Sequence, residues 1–108
     1  MGDRGQVLIK DTGVYLYTHW GATELYETVK NAIRKKWRWN DPEYLARIIF
    51  DEMIKGAQGE ETSYGIGTKM AGDIWRLVIV DCKKFTVTVE DEGKIKKEKT
   101  FQQICEEK

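Results

Sequence analysis

The sequence is short of the residues that mark several large protein classes. Only two of its 108 residues are cysteine, Cys82 and Cys105, and they form no Cys-x-x-Cys pair. A small secreted domain would carry a denser framework, so two reduced thiols in a cytoplasmic protein are expected. The single proline, Pro42, excludes a proline-rich linker. The single serine, Ser63, stands outside any Gly-x-Ser-x-Gly elbow. The single histidine, His19, leaves zinc without a ligand set at usable spacing. No metal and no cofactor are therefore expected. The longest aliphatic run, Leu77-Val78-Ile79-Val80, falls far below the roughly 20 residues of a membrane span, so no membrane association is expected. Met1 to Gln6 is polar and lacks the apolar core of a signal peptide. Net charge is absent too, with 18 basic against 18 acidic residues, which excludes a uniformly basic coat for nucleic acid.

What is present points to one folded domain over 1–108. The chain is 41% hydrophobic, with four tryptophans and five tyrosines, too apolar for a disordered segment. Val7 to Ile9 and Val14 to Thr18 read as strands around an Asp11-Thr12-Gly13 turn, with Tyr15, Tyr17 and His19 on one face. Leu25, Val29, Ala32, Ile33 and Trp37 recur at helical spacing, with Thr23 as the candidate cap, and predict a helix over about 23–37. Asp41-Pro42 is the clearest start signal in the chain and opens a second helix over about 41–55, stopped by Gly56. Glu43, Arg47, Asp51 and Lys55 predict a ladder of ion pairs along that helix.

Farther along, Thr62 to Gly67 predicts an edge strand, Trp75 to Val80 a central strand, and Phe85 to Glu90 a half-buried one. Lys94 to Lys99 is either an edge strand or an extended tail. Thr100 and Gln103 form a capping box for a short last helix. The order β-β-α-α-β-β-β-α predicts an α+β fold. Its sheet would be mostly antiparallel, of about five strands, with the two main helices on one face.

Charge is unevenly spread. Lys30, Arg34, Lys35, Lys36 and Arg38 fall in a stretch with no acid, interleaved with Trp37 and followed by Trp39. Cations for phosphates and indoles for stacking are what a nucleic-acid-binding stretch needs. The plainer reading is a solvated helix end, with Trp37 in the core and Trp39 under the next helix. The corner His19-Trp20-Gly21 is the other candidate site. His19 is placed to act as a general base or a ligand contact there, or simply to tie the loop down. Nucleophilic roles for Ser63 or Cys82 have little support, and Gly65-Ile66-Gly67 with Gly72 has the wrong spacing for a dinucleotide loop.

Tyr15-Leu16-Tyr17-Thr18-His19-Trp20-Gly21 stands first in a set of motifs. Arg38-Trp39-Asn40-Asp41, Tyr44 to Phe50, Glu61 to Thr68 and Val78 to Asp81 complete it. Together they resemble a family of small uncharacterised prokaryotic and phage proteins with a Tyr-Thr-His-Trp-Gly motif. That family has no established function, so the resemblance implies no catalytic assignment. It directs attention to His19, Trp20, Arg38, Trp39, Asp41, Arg47, Glu61 and Thr62, to which the strand alternation adds Tyr17.

Three functions compete. A binding or accessory module would use the His19/Trp20 corner and the basic end of helix one to hold a protein or nucleic-acid partner. A small hydrolase or nuclease-like enzyme would use His19 as general base beside a carboxylate. A structural homodimer subunit would pair through the Lys94–Lys99 edge and the glycine-containing strand.

Overall fold

A computed structural model describes residues 3–57, 59 and 63–107. Gly5–Ile9 (β1) and Val14–Thr18 (β2) form the expected hairpin, with Val7 facing Leu16. A 3₁₀ turn at Ala22–Glu24 leads into Leu25–Ile33 (α1), followed by Pro42–Met53 (α2). Then come Tyr64–Gly67 (β3), Arg76–Asp81 (β4), Thr86–Asp91 (β5), Lys94–Thr100 (β6) and Phe101–Glu106 (α3). The fold is α+β, with six strands rather than about five, in the order β3-β2-β1-β4-β5-β6. Lys94 to Lys99 is the extra one: it is an edge strand, not a tail.

One pairing departs from the antiparallel expectation. β4 lies parallel to β1, with Val7 opposite Val78 and Ile9 opposite Val80. The remaining neighbours are antiparallel. The reason is that β3 returns to the outer side of β2, so the next strand must cross two others to reach the free side of β1. Residues 68–75 make that crossing.

All three helices pack on one face. Val7, Ile9, Leu16, Val78, Val80, Val87 and Val89 meet Leu25, Val29, Ile33, Leu45, Ile49, Phe101 and Ile104 in one buried cluster. Alternation sends Gln6, Leu8, Tyr15, Tyr17, Leu77, Ile79 and Glu90 to the other face. The 3₁₀ turn before α1 comes so close to β1 that a Cβ on Gly5 would lie 2.9 Å from the Ala22 side chain. Glycine is what allows that contact.

The helix ends differ from the periodicity. Thr23 does not cap α1 with its side chain; its N–H instead donates to the Asp3 carboxylate at 2.8 Å. The residue that satisfies the helix start lies 20 positions away in sequence. At the other end α1 stops at Ile33, not near Trp37. Its last turn tightens through Lys35 N–H to the Ala32 carbonyl and Lys36 N–H to the Ile33 carbonyl. The Trp39 indole N–H also donates to the Ile33 carbonyl, at 3.0 Å. Trp37 is therefore not a core residue: it is 57% exposed.

α2 begins as expected, with the Asp41 carboxylate accepting the Tyr44 N–H, and Gly56 follows its end at a φ of +82°. Its ion-pair ladder is shorter than the spacing suggests. Arg47 pairs with Asp51, but Lys55 reaches Glu52 instead. Lys55 lies just past the last helical residue, Met53, so four-residue spacing no longer governs it. The Thr100–Gln103 capping box is complete in both directions.

Candidate functional site

Those of the singled-out residues that are described fall into two groups, one toward each end of α1, whose nine residues separate them by about 13 Å. At the amino end, the Thr18 hydroxyl accepts the Gly21 N–H at 3.0 Å and bends the chain sharply after β2. The bend leaves no room beside Gly21, where a Cβ would lie 3.0 Å from the Thr18 hydroxyl. Thus the Thr-His-Trp-Gly stretch is a turn device that projects two rings. His19 lies edge-on to Trp20 at 4.3 Å between centroids and 6.5 Å from Tyr17. Trp20 is 61% exposed.

Among the described residues the side-chain hydrogen-bond partner of His19 is a cation. The Arg4 Nε–H donates to His19 Nδ1 at 3.4 Å, and the same guanidinium pairs with Asp73 at 3.3 Å. A nitrogen that accepts from arginine carries no proton of its own, so the neutral ring bears its hydrogen on Nε2. Proton abstraction through Nδ1 would require the Arg4 contact to open. Burial and the Asp73 carboxylate push the neighbouring Tyr17 phenol up from its ordinary value. Close by, Asp3 accepts from the Thr23 N–H and the Trp75 indole at 2.8 and 2.7 Å. Burial raises its carboxyl, but these bonds outweigh burial and hold it below the usual range. Sequence reasoning missed Asp3, Arg4, Asp73 and Trp75. They lie far apart in the chain, and no local pattern links them.

At the carboxyl end the arrangement is local. Lys36 and Arg38 both take left-handed backbone angles, φ +61° and +57°, so Trp37 sits between two strained residues. Lys35 lies 5.1 Å above the Trp37 ring while pairing with Glu52 at 3.1 Å. Arg38 and Arg47 both stack on Tyr44, at 4.5 and 5.0 Å from its centroid, and Tyr44 is 44% exposed. Among the described residues, Arg34, Lys36 and Arg38 form no salt bridge. Trp39 and Asp41, also singled out by sequence, are scaffold here. Trp39 packs on Phe101 at 5.2 Å, and Asp41 caps α2. Tyr44 was missed as a site residue, although its three-residue spacing from Arg47 on the helix was readable.

Glu61 and Thr62 lie outside the described residues. The two ends of α1 are not one surface, so the structure brings together Tyr17, His19 and Trp20, and separately Arg38 and Arg47. Cys82 is buried, and burial first, then the Asp81 carboxylate, push its thiol up to about 11. Such a thiol is a poor nucleophile near neutral pH. Burial raises the Asp81 carboxyl, but the N–H groups of Lys84 and Lys83 and the Lys10 ammonium outweigh it and leave it low. Among the described residues no group of three or more His, Cys, Asp or Glu could hold a metal ion. Among them, too, no helix is long and apolar enough to cross a membrane.

No protein-family model, curated protein or solved structure matches the chain.

Proposed function

We propose that the protein is a binding module whose contact surface is the turn between α1 and α2. The partner is read as an anionic strand with flat rings, namely single-stranded nucleic acid. The observation that supports this is Trp37. It is held out in solvent between two left-handed residues that are neither glycine nor asparagine. Each such residue costs roughly 1 kcal/mol relative to a helical one. Strain of that kind commonly accompanies function. Around Trp37, Arg34, Lys36 and Arg38 offer charge that forms no salt bridge among the described residues. The Arg38–Tyr44–Arg47 stack supplies further flat cationic surface for bases. The exposed Trp20, with the half-buried His19 against it, forms a second ring pair at the other end of α1, available to a partner long enough to reach it.

The test is titration of a fluorescently labelled oligothymidylate, read by anisotropy. Three phosphate contacts predict a log–log salt slope of about −2 for a single strand, or roughly a fifteenfold loss of affinity between about 50 and about 200 mM salt. Trp37→Ala is expected to weaken binding about tenfold or more, the loss of one stacked base. Absence of binding at low salt by folded protein would overturn the nucleic-acid reading. Binding that ignores Trp37→Ala would overturn the placement of the surface.

A further inference from the structure

The crossover from β3 to β4 builds a pocket on the face of the sheet that the helices leave open. Gln6 projects from β1 and holds the crossing chain at two points. Its Nε2 donates to the Lys69 carbonyl at 3.3 Å, and its Oε1 accepts the Ala71 N–H at 2.9 Å. Farther along, Asp73 is tied to Arg4, and the Trp75 N–H donates to the Arg4 carbonyl at 3.1 Å. The β5–β6 turn is fastened to the same point, since the Glu92 N–H donates to the Trp75 carbonyl at 2.7 Å. That turn is a two-residue one with both φ values positive, Glu92 at +53° and Gly93 at +83°. Several bonds thus fix the walls, and the concavity belongs to the folded scaffold.

The pocket has a volume of about 220 Å³. Met70, Ile74, Trp75 and Leu77 give it apolar walls, and Glu90 and Glu92 bring two carboxylates. Arg76 also borders it, but its guanidinium is engaged by both oxygens of Asp91, at 2.7 and 3.0 Å. The register sets Lys94 opposite Asp91, on the helix side of the sheet, whereas Glu90 pairs across from Leu77 and Ile95 on the open side. Among the described residues neither Glu90 nor Glu92 forms a salt bridge. With Arg76 held by Asp91, the charged side chains at this apolar hollow left without a salt bridge among the described residues are both anions, which selects for an apolar body carrying positive charge.

We propose that this pocket binds a small organic cation, a primary ammonium group on a compact apolar or aromatic body. The body rests against Ile74, Trp75 and Leu77, and the ammonium donates to the Glu90 and Glu92 carboxylates. One face of the Trp75 ring is already covered by Arg76 at 4.6 Å, so the carboxylates rather than the indole receive the charge. The volume lies below the roughly 300–1,000 Å³ of pockets that enclose drug-sized molecules, which limits the ligand to a small free amine.

The experiment is a titration of ¹⁵N-labelled protein with phenethylammonium, followed by backbone and indole amide shifts. Its neutral analogue 2-phenylethanol and its anionic analogue 3-phenylpropionate are titrated in parallel. Phenethylammonium is expected to shift the amides of 70–77 and 90–93 saturably. It should bind about tenfold or more tighter than the alcohol, as a charge-assisted hydrogen bond predicts. The double variant Glu90→Gln, Glu92→Gln should bring the amine down to the alcohol's affinity. Gly72 borders the pocket, and a Cβ there meets nothing within 4 Å, so Gly72→Phe should remove amine binding with the fold intact. Equal binding of amine and alcohol would overturn the proposal. So would shifts that persist in Gly72→Phe, or the absence of localised shifts with any of the three.

Discussion

The two ends of α1 solve different problems with similar residues. At the amino end, Asp3, Arg4, His19, Asp73 and Trp75 come from three separate parts of the chain and satisfy one another. At the carboxyl end, all the residues from Arg34 to Arg47 are neighbours in sequence, and Arg34, Lys36 and Arg38 form no salt bridge among the described residues. A cation already bonded to an acid has little left for a partner, because recognition must first break the internal bond. The first corner therefore holds the fold together, and the second is left to face outward. The two tryptophans flanking Arg38 repeat the contrast on a smaller scale: Trp39 closes α1 and packs on Phe101, while Trp37 touches solvent.

The sharpest way to break this contrast is to remove each of those indoles. Trp39→Ala loses the Ile33 cap and the ring contact with Phe101 and should cost about 3 kcal/mol in urea unfolding. Trp37→Ala should stay within about 0.5 kcal/mol of the parent, since an exposed ring contributes little to the folded state. Equal losses would place Trp37 in the core after all.

A smaller effect concerns α3, which carries Phe101 to Trp39. Glu107, just past its end, accepts from Tyr26 at 2.6 Å and pairs with Lys30 and Lys99 at 3.1 and 3.4 Å. The Tyr26 hydrogen bond chiefly, then the two lysines, pull its carboxyl down to about 2 against burial. A carboxyl depressed in the folded state contributes stability above its unfolded value near 4.5, and that stability is lost as the pH falls toward 2. The contribution is on the order of 2 kcal/mol once partial solvent screening is allowed for. Glu107→Gln should therefore flatten the acid limb of the stability curve between those pH values. The same lysine explains an otherwise odd burial: Lys30 is only 6% exposed, and its charge is met by Glu107 and Glu27.

At the amino corner, Asp3→Ala removes the acceptor for both the Thr23 N–H and the Trp75 indole and should lower stability by about 1–2 kcal/mol. Proteolysis within 68–75 should rise in parallel, since Trp75 ends that crossing. The smallest effect has the opposite sign. Lys36→Gly and Arg38→Gly relieve left-handed strain and should each raise stability by up to about 1 kcal/mol. If the turn is a binding surface, both should also weaken oligonucleotide binding. A gain in stability with unchanged binding would detach the strain from recognition.

Much of the architecture was legible because its signals are local. The Asp41-Pro42 start, the Gly56 stop, the Thr100–Gln103 box and the alternation in Val14–Thr18 act between residues a few positions apart. Periodicity misplaced the end of α1 because it counts apolar positions without asking what receives the last carbonyls. The candidate residues were legible as types, and His19, Trp20, Arg38 and Arg47 do face outward or line a corner. Their grouping was not legible, because it depends on how far α1 carries the chain and on contacts such as Arg4 with His19.

The starts of α2 and α3, strand alternation and the charge segregation at 30–38 thus follow from neighbours along the chain, where geometry is set within a turn or two. The parallel insertion of β4 beside β1, the remote Asp3 cap, the exposure of Trp37 and the pocket beneath the crossing chain follow from packing. Each depends on residues tens of positions apart meeting in space, and no short-range rule encodes those meetings.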